Sequence, residues 1–370
     1  MALNICPAIL TSLSDNLINN PANVNIQGGT LAALTDPSNM VPGQIIRQAN
    51  DDGTGHSKTV RVVYKNRLLS SAVVTTKGCL DDTNMPYVED EFTVDQYNGI
   101  SFQMTEAQLR TYCASYSELV AVTGSNDPGT IVARANQMGN AQGALSVVRE
   151  LFGDFQLAAN ALVQSMNSNL LTSMFTGKGT YAGGATSNTY AVQGIDGGIN
   201  PGGLFKMKQD YTITGFNGAP IIIGGAGPLQ QVWLNDSRYF GQGANGVNFS
   251  TLRDNTGIAQ FYYDQNASTV MTGESKALIF APGSAIYTPF LQYVGNFGKI
   301  GVMDRFTMPM PGLPQVKVDV RILPDECEET YTVWMECYFD VYTAPQAMFS
   351  VGDKLAGVNG LFAANFTQLV

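Results

Sequence analysis

The apolar residues between positions 127 and 177 recur every three or four residues, which is the period of an α-helix. The apolar stripe consists of Ile131, Ala135, Met138, Ala141, Leu145, Val148, Phe152, Phe155, Ala159, Leu162, Met166, Leu170 and Met174. Asp127 is suited to cap the first turn, Pro128 to occupy the first helical position and Gly177 to end the helix. The pattern therefore predicts one long helix over residues 127–176, roughly 70 Å in length.

Three glycines leave an interrupted helix as an alternative. Gly139, Gly143 and Gly153 each cost a helix about 1 kcal/mol relative to alanine. The first two lie about one turn apart, so a kink or break near residues 139–143 is the alternative to a continuous helix. A coiled coil is disfavoured, because charged residues are nearly absent beside the apolar stripe.

A strand pattern with a period of two begins at Thr59. Val60, Val62 and Tyr64 alternate with the intervening side chains, and a second strand-like run covers residues 69–76. We expect these runs to form a β-hairpin that projects from an extended loop over residues 41–99. A two-stranded arm is barely stable alone, so Val60, Val62 and Tyr64 are expected contacts with a neighbouring subunit.

The remaining patterns mix helices and strands. Thr105 and Gln108 form a capping box that opens a helix ending near Gly124. Strands at residues 219–223 and 276–280 each lead into a turn, with a helix expected at 228–237 and a short one opened by Pro282. Alternation over residues 316–322 and 331–342 predicts a long antiparallel hairpin whose tip carries acidic residues. These elements predict an α+β fold.

Composition indicates a protein whose surface is covered by partners. Only 14% of the 370 residues are charged, whereas globular chains average about 25%. The net charge of −10 provides no basic surface for phosphate groups, so tight binding to nucleic acid is disfavoured. The five cysteines are odd in number and lack metal-binding spacing, which favours free thiols in a reducing compartment. Neither a signal peptide nor an apolar membrane segment stands out, so we expect a soluble protein made in the cytosol.

No pattern of catalytic residues, metal ligands or cofactor contacts stands out. His56 is the only histidine, which removes most parts of a histidine metal site or a serine hydrolase triad. The glycine run at residues 224–227 follows a strand, as a dinucleotide-binding loop does, but Gln230 replaces the third glycine of that motif. Acidic residues at 325–329 lack the spacing of a calcium loop. We therefore predict no catalytic residue, no metal site and no cofactor.

The order of these elements resembles the major capsid proteins of tailed bacteriophages, which have the HK97-type fold. The resemblance covers nearly the whole chain, but it lies in the order of elements and not in a short motif. It implies an N-terminal arm at residues 1–40, the extended loop at 41–99 and a peripheral domain at 100–200 that carries the spine helix 127–176. It further implies an axial α/β domain at 201–310, a peripheral β-hairpin at 311–344 and a C-terminal segment at 345–370.

What the resemblance implies is a non-enzymatic structural subunit of the virion. Such a subunit self-assembles through pentamers and hexamers into an icosahedral shell around double-stranded DNA, in the cytoplasm of the host bacterium. Scaffolding, portal or decoration proteins are further expected partners, whereas a membrane is not. Gln164, off the apolar stripe of the long helix, is an additional expected contact between subunits.

Two other functions stay open at this point. An encapsulin-like compartment has the same fold but encloses protein cargo. A nucleotide-using α/β enzyme would depend on the glycine run at 224–227. A different self-assembling protein, such as a double jelly-roll capsid or a tail-tube subunit, is disfavoured because those folds consist almost entirely of strands.

Overall fold

The structure is a computed structural model. It describes residues 28–39, 45–48, 59–65, 87–125, 128–181, 184–195, 200–216, 218–227, 260–291, 298–300, 303–310, 313–325, 329–343 and 359–369. These residues form a mixed α and β fold that divides into two compact units. The first unit contains Gln96–Met166 and Pro289–Phe339, and the second contains Gly29–Asp95, Asn167–Thr288 and Asp340–Val370. No helix in this part of the chain combines the length and apolar character needed to cross a membrane.

An antiparallel sheet and three helices make up the first unit. Its strands and helices are β4 (Gln96–Thr105), α2 (Glu106–Thr123), α3 (Pro128–Gln137), α4 (Gln142–Thr176), β10 (Gly298–Ile300), β11 (Met303–Met310), β12 (Leu313–Asp325) and β13 (Thr330–Thr343). The strand order is β10-β11-β12-β13-β4, and the last turns of α4 and the end of β13 belong to the second unit. Strands β12 and β13 pair in antiparallel fashion with Val320 opposite Met335, which confirms the predicted long hairpin.

The predicted start and end of α2 are also confirmed. The hydroxyl of Thr105 accepts a hydrogen bond from the Gln108 amide, while the Gln108 side chain accepts one from the Thr105 amide. Gly124 ends the helix with φ of 64°, a left-handed conformation that favours glycine. Arg134 also donates to the carbonyl oxygen of Thr123, at 2.6 Å, and thereby satisfies one of the last carbonyls of the helix.

The long helix is interrupted, so the prediction of one continuous helix over residues 127–176 is wrong in its first third. Met138 has an extended backbone (φ −108°, ψ 113°), and Gly139–Ala141 forms a single 3₁₀ turn before α4 begins. The side-chain amide of Gln142 donates to the carbonyl oxygen of Ala135 at 3.0 Å, which satisfies a carbonyl that the break leaves without its helical partner. The alternative of a break near residues 139–143 is the one observed, and α4 spans 35 residues.

Substitution of Gly153 tests how a glycine inside α4 affects the stability of the protein. Nothing lies within 4 Å of the position that a Cβ atom would occupy at Gly153, in the middle of α4. Gly153→Ala is therefore expected to stabilise the protein by about 0.5–1 kcal/mol, through a lower backbone entropy of the unfolded chain. The free energy of unfolding from urea denaturation measures this effect.

Gly203 is the matched control, because it is also helical but tightly packed. A Cβ atom at Gly203 would overlap the carbonyl oxygen of Ala191. Gly203→Ala should therefore destabilise the protein, opposite in sign to Gly153→Ala. A loss of stability in both variants would contradict the assignment of open space around Gly153.

The second unit contains a five-stranded sheet that joins distant parts of the sequence. Its elements are α1 (Gly29–Thr35), β5 (Ser187–Gln193), α5 (Pro201–Ile213), β6 (Ile221–Gly224), β7 (Gln260–Tyr263), α6 (Ala267–Val270), β8 (Lys276–Phe280), β9 (Ala285–Phe290, which ends in the first unit) and β14 (Leu361–Gln368). The strand order is β5-β14-β8-β6-β7. Strand β14 runs parallel to β5 and antiparallel to β8, so the last strand of the chain lies inside the sheet.

The core of this unit packs between the sheet and α5. Leu204, Met207 and Tyr211 on α5 pack with Ile279 and Phe362 of the sheet. The strand at residues 276–280 is confirmed, but the helix expected from Pro282 is wrong. Residues 282–284 form a turn that leads into β9, and Gly283 donates to the carbonyl oxygen of Asn39 at 3.0 Å. The expected helix at 228–237 lies outside the described residues.

A second, three-stranded sheet corrects the predicted hairpin. It consists of β1 (Ile45–Gln48), β2 (Thr59–Lys65) and β3 (Tyr87–Thr93) in the order β1-β2-β3. Strand β2 pairs with β1 along Val60–Val63 and with β3 along its whole length. Both edges of β2 are therefore occupied, so pairing with residues 69–76, which lie outside the described residues, is wrong for this strand.

Candidate assembly surfaces

Helix α4 separates a buried apolar face from an exposed and mostly uncharged one. Leu145, Phe155, Ala159, Leu162 and Met166 are buried within the first unit, as the stripe predicts. The exposed positions of this part of the helix are Gln142, Gly143, Ser146, Glu150, Leu157, Ala161, Gln164 and Ser165. Leu157, among these positions, is 69% exposed. The outer face of α4 is thus suited to contact another protein surface, and the contact at Gln164 stays a prediction.

A polar network neutralises a buried carboxylate on the sheet of the first unit. Glu336 accepts a hydrogen bond from the Tyr97 hydroxyl at 2.8 Å and lies 3.1 Å from Nε of Arg321. The Arg321 guanidinium also stacks on the ring of Trp334 at 5.1 Å. Burial, together with the bond to Glu336, raises the pKa of Tyr97 to about 12. The Glu336 carboxylate is thus paired with the Arg321 guanidinium and hydrogen-bonded by Tyr97.

The glycine run after β6 is packed against protein atoms and not arranged around an empty phosphate site. A Cβ atom at Gly227 would overlap the carbonyl oxygen of Glu274. At Gly225 a Cβ atom would meet Ala267 and Ser268 at 3.5 Å, and at Gly224 it would meet the Phe261 ring at 3.2 Å. Close packing thus accounts for Gly227, where the overlap would be with backbone, whereas the distances at Gly225 are those of ordinary van der Waals contact.

Acidic and sulfur-containing side chains show no arrangement for metal binding in the described parts of the chain. No group of three or more His, Cys, Asp or Glu side chains is close enough there to hold a metal ion. Cys337 is buried against the sulfur of Met166 at 3.5 Å, and burial raises the pKa of its thiol. Cys113 is half-buried. His56 and the acidic residues 326–328 lie outside the described residues.

A buried carboxylate holds the N-terminal helix on the second unit. Oδ2 of Asp264 accepts hydrogen bonds from the amide and the hydroxyl of Thr30, at 3.0 and 2.5 Å. Oδ1 of Asn167 accepts from the amide of Leu31 at 2.8 Å. Gly29 has φ of 48°, and a Cβ atom there would lie 2.8 Å from Oδ2 of Asp264. Residues 29–39 of the predicted N-terminal arm are therefore part of the subunit's own body.

Tyr262 provides a second attachment for the same segment. Its hydroxyl donates to Oδ2 of Asp36 at 2.7 Å and accepts from the Asn39 side chain at 3.0 Å. The bond from Tyr262 is the main cause of a lowered pKa at Asp36, and bonds from Ser38 lower it further. The Asp36 carboxylate thus contributes stability above its unfolded pKa of about 3.9, and that stability is lost as the pH falls through the lower folded pKa.

The lowered pKa of Asp36 predicts how the stability of the Tyr262→Phe variant depends on pH. At pH 7 the variant is expected to lose about 1 kcal/mol of stability, because a hydrogen bond to a charged group is removed. The loss should shrink as the pH falls through the lowered folded pKa of Asp36, because a protonated carboxyl is no longer a charged acceptor. Urea denaturation of both proteins at pH 7 and at a series of acidic pH values measures the differences. The control is Tyr263→Phe, on the adjacent residue of β7, whose change in unfolding free energy should not depend on pH. A loss of stability in Tyr262→Phe that stays the same at every pH would contradict the role of Asp36.

Large apolar side chains are also exposed in the second unit. Phe205 and Ile213 on α5 are 51% and 61% exposed. Ile195 and Leu369 are exposed where β5 and β14 end together, since the amide of Leu369 donates to the carbonyl oxygen of Gln193 at 2.8 Å. These four side chains were not singled out from the sequence, because no helix was predicted over residues 201–213 and no strand over residues 187–193 or 361–368.

Two of the expected subunit contacts are buried inside the chain itself. Val60 and Val62 have no exposed surface, and Val62 packs against Ile286 and Tyr342 with Phe92 alongside. The prediction that Val62 contacts a neighbouring subunit is therefore corrected, because its partners Ile286 and Tyr342 come from distant segments of the same chain. Val60 is likewise buried within the chain, which does not fit the expected contact. The side chain of Tyr64 lies outside the described residues.

Comparisons with known proteins give similar folds but no family. No protein-family model matches the chain, and no curated protein does. Among solved structures, a chain of Mycobacterium phage Che8 is 12% identical with a TM-score of 0.36, over 93% of this chain and 90% of that one. A chain of the cyanophage A-1(L) capsid is 11% identical with a TM-score of 0.43, over 85% and 89%. A chain of an encapsulin complex from Synechococcus elongatus is 10% identical with a TM-score of 0.33, over 82% and 81%. At these values, function has to be argued from the chain itself.

Proposed function

We propose that this chain is a structural subunit that self-assembles into the icosahedral capsid of a tailed bacteriophage and encloses double-stranded DNA. The observation that carries the proposal is the exposed face of α4. A helix of 35 residues keeps an outer face on which Glu150 is the one charged residue among the described exposed side chains and Leu157 is 69% exposed, in a chain with only 14% charged residues. Such a face is favourable when another protein surface covers it.

The order of elements supports the same proposal. Sheet β1-β2-β3, the helices α2 to α4, strands β5 to β8 of the five-stranded sheet and the hairpin β12–β13 follow one another as in the tailed-phage resemblance, and β14 joins the five-stranded sheet from beyond the hairpin. In this assignment β1 to β3 belong to the extended loop, α4 is the spine helix and β12–β13 is the peripheral hairpin. The five-stranded sheet belongs to the axial domain.

The acidic character of the chain fits a container that does not adhere to its DNA. With a net charge of −10, a subunit releases few counterions from DNA and should bind it weakly at physiological salt. Copies of the subunit are the principal partner, and assembly is assigned to the cytoplasm of the bacterial host. Scaffolding, portal and decoration proteins are further proposed partners.

Electron microscopy of the purified chain tests the proposal. Negative staining should show closed shells of uniform diameter. Particles that stay monomeric over a range of protein concentration, salt and crowding agent, and in cells that express the chain, would overturn it. If shells form, nucleic acid extracted from particles made during phage growth distinguishes a DNA capsid from a compartment with protein cargo.

A further inference from the structure

The outer face of α5 is an exposed stripe that the fold of the second unit does not use. Gly202, Phe205, Lys206, Gln209, Thr212 and Ile213 are exposed and follow the helical spacing along one side. The opposite side carries Leu204, Met207 and Tyr211, which are buried in the core. Because the buried side alone holds the helix on the sheet, Phe205 and Ile213 are not needed for its packing.

Exposing these two side chains is unfavourable for an isolated subunit. A phenylalanine or isoleucine that moves from water into a contact gains up to about 1.5–3 kcal/mol. Helix α5 has exposed polar positions between them, at Gln209 and Thr212, so solubility of the helix does not require apolar residues there. The stripe thus has the composition of a contact, with apolar anchors surrounded by polar side chains and one lysine.

Charge indicates which surface covers the stripe. Among the side chains described in the second unit, Lys206 is the one exposed base, whereas Asp90, Glu91, Asp95 and Glu274 are exposed acids. The whole chain carries a net charge of −10, so two copies repel each other over most of their surfaces. Lys206, with apolar neighbours on the helix, attracts the acidic surface of another copy, whereas acidic positions repel it.

We propose that the outer face of α5 binds a second copy of this chain, with Phe205 and Ile213 as apolar anchors and Lys206 facing acidic side chains of that copy. This inference rests on the proposed function and assigns one of its contact surfaces. The contact joins two different surfaces, the α5 face of one copy and an acidic surface of the next, so it is a head-to-tail contact. Contacts of this kind form closed rings when the rotation between neighbouring copies permits.

Three variants in the full chain test the inference by shell yield in sedimentation velocity. Phe205→Asp and Lys206→Glu should each lower the yield by about tenfold or more, because each places an acid against an acidic partner. Phe205→Leu should assemble like the wild type, since it keeps an apolar anchor. Both affected side chains are exposed, so circular dichroism and the thermal unfolding midpoint should stay unchanged.

Lys317→Glu is the matched control for overall charge. Lys317 is exposed in the first unit, and its replacement changes the net charge from −10 to −12, the same change as Lys206→Glu. The inference is supported if Lys206→Glu loses shells and Lys317→Glu keeps them. Equal yields for the wild type, Phe205→Asp and Lys206→Glu would overturn it, as would an equal loss in both lysine variants. If the wild type itself forms no shells, the proposed function fails instead.

Discussion

A chain that ends after Gly360 is expected to lose the folded second unit altogether. The missing strand β14 lies between β5 and β8 and pairs with both, so its removal separates β5 from the rest of the sheet. It also removes Phe362 and Phe366 from the core, where each loss corresponds to about 3–5 kcal/mol. The sum reaches the whole stability of an ordinary domain, about 5–15 kcal/mol.

The experiment compares this truncation with a chain that ends after Gln368. The longer variant keeps all of β14 and should retain a cooperative thermal transition and nearly normal solubility. The shorter one should be insoluble or show only the unfolding of the first unit. A cooperative transition for the second unit in the chain that ends at Gly360 would mean that β14 is dispensable.

The second large effect is expected at Leu162 on α4. Leu162 is buried in the first unit, so Leu162→Asp places a carboxylate among apolar atoms and should cost roughly 3–5 kcal/mol, together with the fold. Gln164, two residues away, is exposed. Gln164→Asp should therefore leave the circular dichroism of the subunit unchanged and lower the shell yield if the outer face of α4 is an assembly contact.

This pair separates folding from assembly. The same residue type is introduced in the same helix, so intrinsic helix propensity is matched and only the environment differs. Normal shells from Gln164→Asp would contradict the contact at the outer face of α4. A similar loss of folding in both variants would contradict the division of the helix into a buried and an exposed face.

Elements with strong local patterns could be predicted from the sequence. The capping box at Thr105 and Gln108, the alternation in β12 and β13 and the apolar stripe of α4 depend on neighbouring residues only. At Met138 the local sequence favours a continuous helix and a broken helix almost equally. The glycines in the sequence indicated that a break would lie near residues 139–143. In the structure, the hydrogen bond from Gln142 to Ala135 is one interaction that favours the broken helix.

Other features depend on partners far away in the sequence. Helix α1 has seven residues, and its first amides bond to Asp264 and Asn167, so no local capping signal marks it. Strand β14 is buried on both faces from Leu361 to Ala364 and lacks the alternation of a half-exposed strand. Val60 and Val62 were recognised as strand residues, but the burial of Val62 depends on Ile286 and Tyr342. Among the candidate contacts, only the exposure of Gln164 followed from periodicity.

The position of β14 in the sheet also sets an order of events during synthesis. Residues 96–339, which include every described strand and helix of the first unit, leave the ribosome before Leu361. Strands β5 and β8 cannot be joined until β14 has emerged, so the second unit completes its fold last. A polypeptide that ends before residue 361 therefore lacks the strand that joins β5 to the rest of the sheet, so α5 is not held in its folded position. If the outer face of α5 binds a second copy, as proposed above, an incomplete chain cannot offer that surface to another copy.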